Sequence, residues 1–180
     1  KVCDVTFSRV DSDACMSTND AVIAMASGAC GISLTGDELT DALTKLCAIL
    51  ARQLVADAEG SRHDVKVAVT GATSTEAAVA VAREVTRSNL VKTAVAGNDP
   101  NWGRILAAVG CVREDVAPFD PDQVDVSING IRVCKAGGIG EDRNLVDMGP
   151  REVHIDIELH AGHAEAAVWT NDLTRQYVEE

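Results

Sequence analysis

Apolar positions in this chain follow a helical period in some stretches and strict alternation in others. Leu39, Leu43, Leu46, Cys47, Leu50 and Leu54 share one face of a helix, and Thr35-Gly36-Asp37-Glu38 ahead of them has capping-box spacing. The pattern predicts a helix to about Ala58. Val65, Val67 and Val69 then alternate with Lys66, Ala68 and Thr70, which suits a half-buried strand. Thr73-Ser74-Thr75-Glu76 reads as a second capping box, followed by the helical stripe Ala78, Val81, Ala82 and Val85. A further helix is predicted over Trp102 to Val109, after Pro100. Near the start, Ser17-Thr18-Asn19-Asp20 before Ala21 to Ala26, with Gly28 after, predicts a short helix.

From Val124 the pattern turns to strands. Val124, Val126 and Ile128 lead into Asn129-Gly130, then Ile131 and Val133, a strong hairpin signal because both turn residues tolerate positive φ. Val153, Ile155, Ile157 and Leu159 alternate with polar residues, and Ala164 to Trp169 is expected to return antiparallel. Helices first, then strand–helix–helix, then a run of strands gives an α+β fold class with a break near residue 62.

Composition narrows the function classes. The 180 residues are 46% hydrophobic and 24% charged, as in ordinary globular chains. A net charge of -12, with sixteen basic residues dispersed, would repel a phosphate backbone, so nucleic acid is not an expected partner. No apolar run is long enough to cross a bilayer, so no membrane partner is expected. The opening KVCDVTFSRVDSD has neither a start methionine nor a signal peptide's apolar stretch, the expectation for a chain that begins inside a longer one.

Candidate chemistry is sparse. Cysteines 3, 15, 30, 47, 111 and 134 lack zinc-ligand spacing and are expected to be buried reduced thiols. His154 and His160 can share a strand face, with His163 nearby, but Asp156 and Glu158 lie on that face too, and a solvated sheet face explains it more simply than a metal. Gly137-Gly138-Ile139-Gly140 reads as a flexible connection before a phosphate cradle, since no helix pattern follows it. Asp57 and Glu59 end the long helix; the dipole disfavours an unpaired carboxylate there, so a cationic partner could be the reason for one, but by position alone both read as ordinary surface carboxylates. Asn98-Asp99-Pro100-Asn101-Trp102-Gly103-Arg104 is either a turn plus a helix cap or a loop carrying binding groups, and periodicity leaves both open.

Three stretches stand out together: Phe7-Ser8-Arg9-Val10-Asp11-Ser12-Asp13 with Met16-Ser17-Thr18-Asn19-Asp20, Val91-Lys92-Thr93-Ala94 with the run 97–110, and Asp172-Leu173-Thr174 with Tyr177-Val178. On these residues the chain resembles the ornithine acetyltransferases (glutamate N-acetyltransferases) of arginine biosynthesis. It implies a portion of a layered αββα self-cleaving acyltransferase lobe, completed by the helical segment 1–62, plus a smaller C-terminal α+β domain over 63–180. It implies cytoplasmic acetyl transfer from N-acetylornithine to glutamate, with acetyl-CoA as a further donor in some members, through an acyl-threonine. The precursor cuts itself between Ala and Thr, its α chain remains a partner, and an α2β2 assembly (a heterotetramer) is expected.

The nucleophilic Thr is expected upstream of Lys1, so no catalytic residue is assigned in this chain; Thr6 and Thr18 sit in other motifs. An Asn and a Ser or Thr that reach the substrate would lie beyond Glu180. The family's substrate-binding Glu falls, by resemblance, on Glu59 in Ala56-Asp57-Ala58-Glu59-Gly60, where it would meet an ammonium group of ornithine. No metal or cofactor is implied. A related self-cleaving aminopeptidase and a non-catalytic structural or oligomerisation domain are the alternatives.

Overall fold

Asp64–Ala72 (β1) keeps the alternation of its sequence, with Val65, Val67 and Val69 buried and Asp64, Lys66, Ala68 and Thr70 half-buried. The other strands are Asp125–Ile128 (β2), Ile131–Lys135 (β3), Gly138–Ile139 (β4), Glu152–Glu158 (β5) and Ala164–Asn171 (β6). In the computed structural model, which describes residues 1–179, they form one six-stranded sheet of order β4-β3-β2-β5-β1-β6. Helices Val2–Val5 (α1), Gly36–Ala56 (α2), Thr75–Arg87 (α3), Asn89–Ala96 (α4), Trp102–Val109 (α5) and Gln176–Glu179 (α6) complete an α+β fold.

β5 and β6 do run antiparallel to one another, but they are not neighbours. β1 lies between them, parallel to β5 (Val67↔Ile155) and antiparallel to β6 (Val67↔Val168). Both partners present small or branched residues to Val65, Val67 and Val69, so the central strand buries its whole apolar face. α3 lies across β1 and β6 on that face, with Ala77, Ala78, Val81, Ala82 and Val85 turned inward. The small alanines let helix and sheet approach closely in a chain with only 3% aromatics.

On the opposite face α2 packs along β6, where the Arg52 guanidinium stacks 4.5 Å from the Trp169 ring. Only some of its apolar stripe is covered. Ala51 and Val55 are buried and Leu43 and Cys47 half-buried, whereas Leu39, Leu46, Leu50 and Leu54 stand 42–61% exposed. Its capping box forms as expected, with Thr35 and Glu38 each bonding the other's backbone N–H.

Four local expectations need correction. Residues 21–26 are not helical: Ser17 Oγ accepts from Asn19 and Asp20 N–H at 3.2 and 2.7 Å, which closes a local turn instead, and six residues are too few to hold a helix alone. The cap of α3 is Ser74, one residue later than expected, which puts Ala77 rather than Glu76 at the capping-box position. The Gly137–Gly140 segment is a pinned turn into β4, not a loose connection; a side chain at Gly140 would meet the Arg132 carbonyl at 2.2 Å. Of the six thiols, only Cys134 is buried; its burial pushes its pKa up. α4 is an addition that sequence periodicity did not single out: Ser88 ends α3 and caps α4, accepting from Val91 N–H. The hairpin forms as expected, with Asn129 and Gly130 at φ 46° and 83°.

Among the described residues no helix is long and apolar enough to cross a membrane. Val67→Ala, at a side chain with 0% exposure, is expected to cost about 2–3 kcal/mol from lost burial and a cavity. Ile139→Ala, 86% exposed, should stay within about 0.5 kcal/mol. Urea unfolding of the two variants checks the contrast.

Candidate functional site

Glu59 sits in the turn that follows α2, with its side chain exposed. Arg52 of α2 pairs with Glu152, and Arg151, just ahead of β5, bonds Asp64 at 3.0 Å and the Ala56 carbonyl at 2.6 Å. The backbone of the Glu59 turn is tightly held. Gly60 adopts φ +60°, and Thr174 Oγ1 donates to its carbonyl at 2.6 Å. A Cβ on Gly60 would stand 2.4 Å from Tyr177 N, so α6 packs directly on the glycine.

The C-terminal signature is thus folded against the Glu59 turn, and the link continues into the interior. Asp172 is completely buried; its Oδ1 accepts from Arg62 and His63 N–H at 2.8 and 3.1 Å. Its Oδ2 meets His63 Nδ1 at 2.9 Å, and because a carboxylate only accepts, that nitrogen carries the proton. His63 Nε2 lies 3.3 Å from the Met148 carbonyl.

One turn into α4, Lys92 is buried beside the same strand end. Its Nζ donates to Ser12 O at 2.7 Å, Thr170 Oγ1 at 2.9 Å and Asn171 O at 2.5 Å. Three oxygen acceptors match the three N–H bonds of an ammonium. Burial lowers its pKa to about 8, opposed by the charges of Asp172, Asp11 and Asp13. Asp11 in turn accepts from Arg87 Nε at 2.7 Å, and Ser12 Oγ bonds Asn171. Residues 7–13, 59–63, 87–92 and 170–177 therefore meet at one polar junction at the end of β6.

These groups satisfy one another. Lys92 is met by Ser12, Thr170 and Asn171, Asp172 and His63 by each other, and Asp11 by Arg87, and no nucleophile–base pair stands open to a substrate among them. Glu59 lies in the exposed turn that this junction holds by its backbone.

The 98–104 motif plays a cap-and-packing role. Asn101 Oδ1 accepts from Arg104 N–H at 3.2 Å to cap α5, while its Nδ2 donates to Asp99 at 2.9 Å. Arg104 Nη1 donates to the Leu90 carbonyl at 2.8 Å and so ties α5 back to α4. Trp102 is half-buried against the core. The run therefore positions the helix that carries Lys92. The candidate metal ligands are occupied: His154 Nε2 pairs with Glu152 at 2.6 Å and His160 Nε2 with Asp125 at 3.2 Å. Among the described residues no cluster of three or more His, Cys, Asp or Glu could hold a metal ion.

The ArgJ family model matches residues 1–180. The chain belongs to the ArgJ family. It is 55% identical over 174 residues to the arginine biosynthesis bifunctional protein ArgJ of Bifidobacterium longum, covering 96% of this chain and 44% of that protein. With the protein of the same name from Streptomyces avermitilis it shares 54% identity, covering 97% of this chain and 45% of the relative. The chain thus spans less than half the length of these relatives. The crystal structure of the ArgJ protein from Bacillus halodurans superposes with a TM-score of 0.90 at 33% identity, over 99% of this chain and 87% of that one.

Within this ArgJ-family fold, sequence reasoning missed Lys92, His63 and Asp172 as partners, although Lys92 and Asp172 lie in the motifs that carry the family resemblance. A lysine between Val91 and Ala94-Val95 in a helix was the available signal, since such a lysine must find buried acceptors.

Two outcomes follow from this geometry. Gly60→Ala adds a left-handed strain and a clash with Tyr177 N, and is expected to cost at least about 2 kcal/mol and to free α6. Gly130→Ala, with nothing within 4 Å, carries the strain alone, about 1 kcal/mol. Hydrogen exchange at 173–179 separates the two. The second concerns pH. Lys92 titrates near 8 when folded and near 10.5 when unfolded, so between these values the unfolded chain holds the extra proton. Stability from this group accordingly rises with pH across that window. The stability deficit of Lys92→Met relative to the native chain should widen from pH 8 to pH 10, read by denaturant midpoints.

Proposed function

We propose that the chain belongs to an acetyltransferase of arginine biosynthesis that moves an acetyl group from N-acetylornithine to glutamate through an acyl-threonine. The observation that carries the reading is a family match over the whole chain, whose relatives are named as bifunctional proteins of arginine biosynthesis. The exposed Glu59, held in a rigid turn with its carboxylate outward, is consistent with it.

In this reading the nucleophilic Thr belongs to the segment before Lys1, freed by cleavage of an Ala–Thr bond. Its hydroxyl oxygen bonds the acetyl carbon, the amide C–N bond breaks, and the departing ornithine nitrogen takes the proton. The α-amine of glutamate then attacks the ester and releases the Thr hydroxyl. An oxyanion hole from the preceding α chain stabilises each tetrahedral intermediate. Glu59 holds the side-chain ammonium of the ornithine moiety by a charge-assisted contact, strengthened where the assembled site excludes water. The bifunctional activity would add acetyl-CoA as a second donor. No cofactor or metal enters the reaction.

The division into 1–62, completing a layered αββα catalytic lobe, and 63–180, a C-terminal α+β domain, belongs to the same proposal. Its support is the uncovered apolar side of α2, together with Val22, Ile23, Met25 and Ile32 at 57–92% exposure. The α chain is the occupant we assign to these exposed apolar side chains. An α2β2 assembly in the cytoplasm follows from the same family reading.

Glu59→Gln in the complete protein is expected to raise KM for N-acetylornithine at least about tenfold, the value of one charge-assisted contact. Steady-state transfer to labelled glutamate measures it, and an unchanged KM would remove Glu59 from the site.

A further inference from the structure

We infer that Thr174 is a positioning residue for Glu59, acting on substrate binding through the backbone of the Glu59 turn. The inference rests on the reading of Glu59 as the ligand of the substrate ammonium. Glu59 itself is exposed and takes its place from its neighbours in the chain. On its N-terminal side, Asp57 N–H donates to Gln53 O at 3.0 Å and Ala58 N–H to Val55 O at 3.3 Å, so the end of α2 holds that flank. On its C-terminal side, the peptide oxygen of Gly60 is held by Thr174 Oγ1 at 2.6 Å.

Thr174 Oγ1 also accepts from Gln176 N–H at 3.1 Å. With its proton committed to Gly60 and one lone pair to Gln176, the hydroxyl is held in one orientation. Two residues upstream, buried Asp172 holds Arg62 and His63 N–H, which anchors the far end of the same loop. Gly60 closes the arrangement, because its bare Cα lets Gln176 and Tyr177 lie against the turn. The Asp172 contacts belong to the buried core, whereas the Thr174 hydroxyl is half-buried and bonds only the turn and its own local helix start. Its removal should shift the Glu59 carboxylate without dismantling the fold.

Displacing a carboxylate that contacts the substrate equally in ground and transition states raises KM and leaves kcat nearly unchanged. In the complete enzyme, Thr174→Val is expected to raise KM for N-acetylornithine about three- to tenfold, the range of one lost hydrogen bond. Thr174→Ser, which keeps the hydroxyl, should restore it. The decisive measurement is the double-variant cycle with Glu59→Gln: if Thr174 acts through Glu59, Thr174→Val adds nothing in the Glu59→Gln background. Additive effects, or a normal KM in a folded Thr174→Val enzyme, would overturn the inference while leaving Glu59 in place. A normal KM for Glu59→Gln alone would instead sink the reading on which it rests. Should the Val variant not accumulate as folded protein, Thr174→Ala loses the same hydroxyl without added branching and is read in the same cycle.

Discussion

A buried ammonium or carboxylate needs hydrogen-bond partners within the protein to offset its lost hydration, and that demand organises the end of the sheet. Lys92 finds three oxygens, from Ser12, Thr170 and Asn171, and Asp172 finds three N–H groups, from Arg62 and from the backbone and ring of His63. None of these partners is local. The acceptors of Lys92 lie about eighty residues away in each direction along the chain, and the donors to Asp172 more than a hundred residues before it. Leaving either charge without its partners costs about 3–5 kcal/mol, a large share of a domain's net stability. The four segments are consequently obliged to meet, and the geometry of the Glu59 turn is one result of that obligation.

Much of the fold was legible from short-range chemistry. The alternation in Val65–Thr70, the stripe of α3, the Thr35–Glu38 box and the Asn129-Gly130 turn each encode their element within a few residues, and each appears where expected. What failed depended on longer range or rested on weak local preference. Ala21 to Ala26 had caps and apolar residues but no surface to pack on, and helices of that length exist only by packing. Placing β1 between β5 and β6 depends on a parallel pairing across some ninety residues, which no local pattern carries.

The site divides in the same way. Glu59 could be named because a motif resemblance points to it, but nothing in its immediate sequence distinguishes it from the surface carboxylate Asp57 beside it. The partners that hold its turn, Thr174 and Asp172, were visible only as members of a C-terminal signature. Their roles are hydrogen bonds over more than a hundred residues of separation. In the most distinctive run, 97–110, Asn101 caps α5 and Arg104 ties it back to α4. The turn there is demanding, with Asn98 at φ 53° and a capped helix start in quick succession.

The uneven burial of α2 bears on the same turn. A helix that must be solvent-exposed has no reason to carry Leu39, Leu46, Ile49, Leu50 and Leu54 beyond the residues it turns toward β6. Its inner side, Ala51 and Val55, joins it to the sheet, and Arg52 clamps it there by pairing with Glu152 and stacking on Trp169. The same helix ends in the Glu59 turn. An element buried on one side by the described fold and apolar on the other is suited to join two bodies, and a carboxylate at its end would lie close to where they meet. The Thr174 and Asp172 contacts fix that end of the helix, through its backbone, to the end of β6.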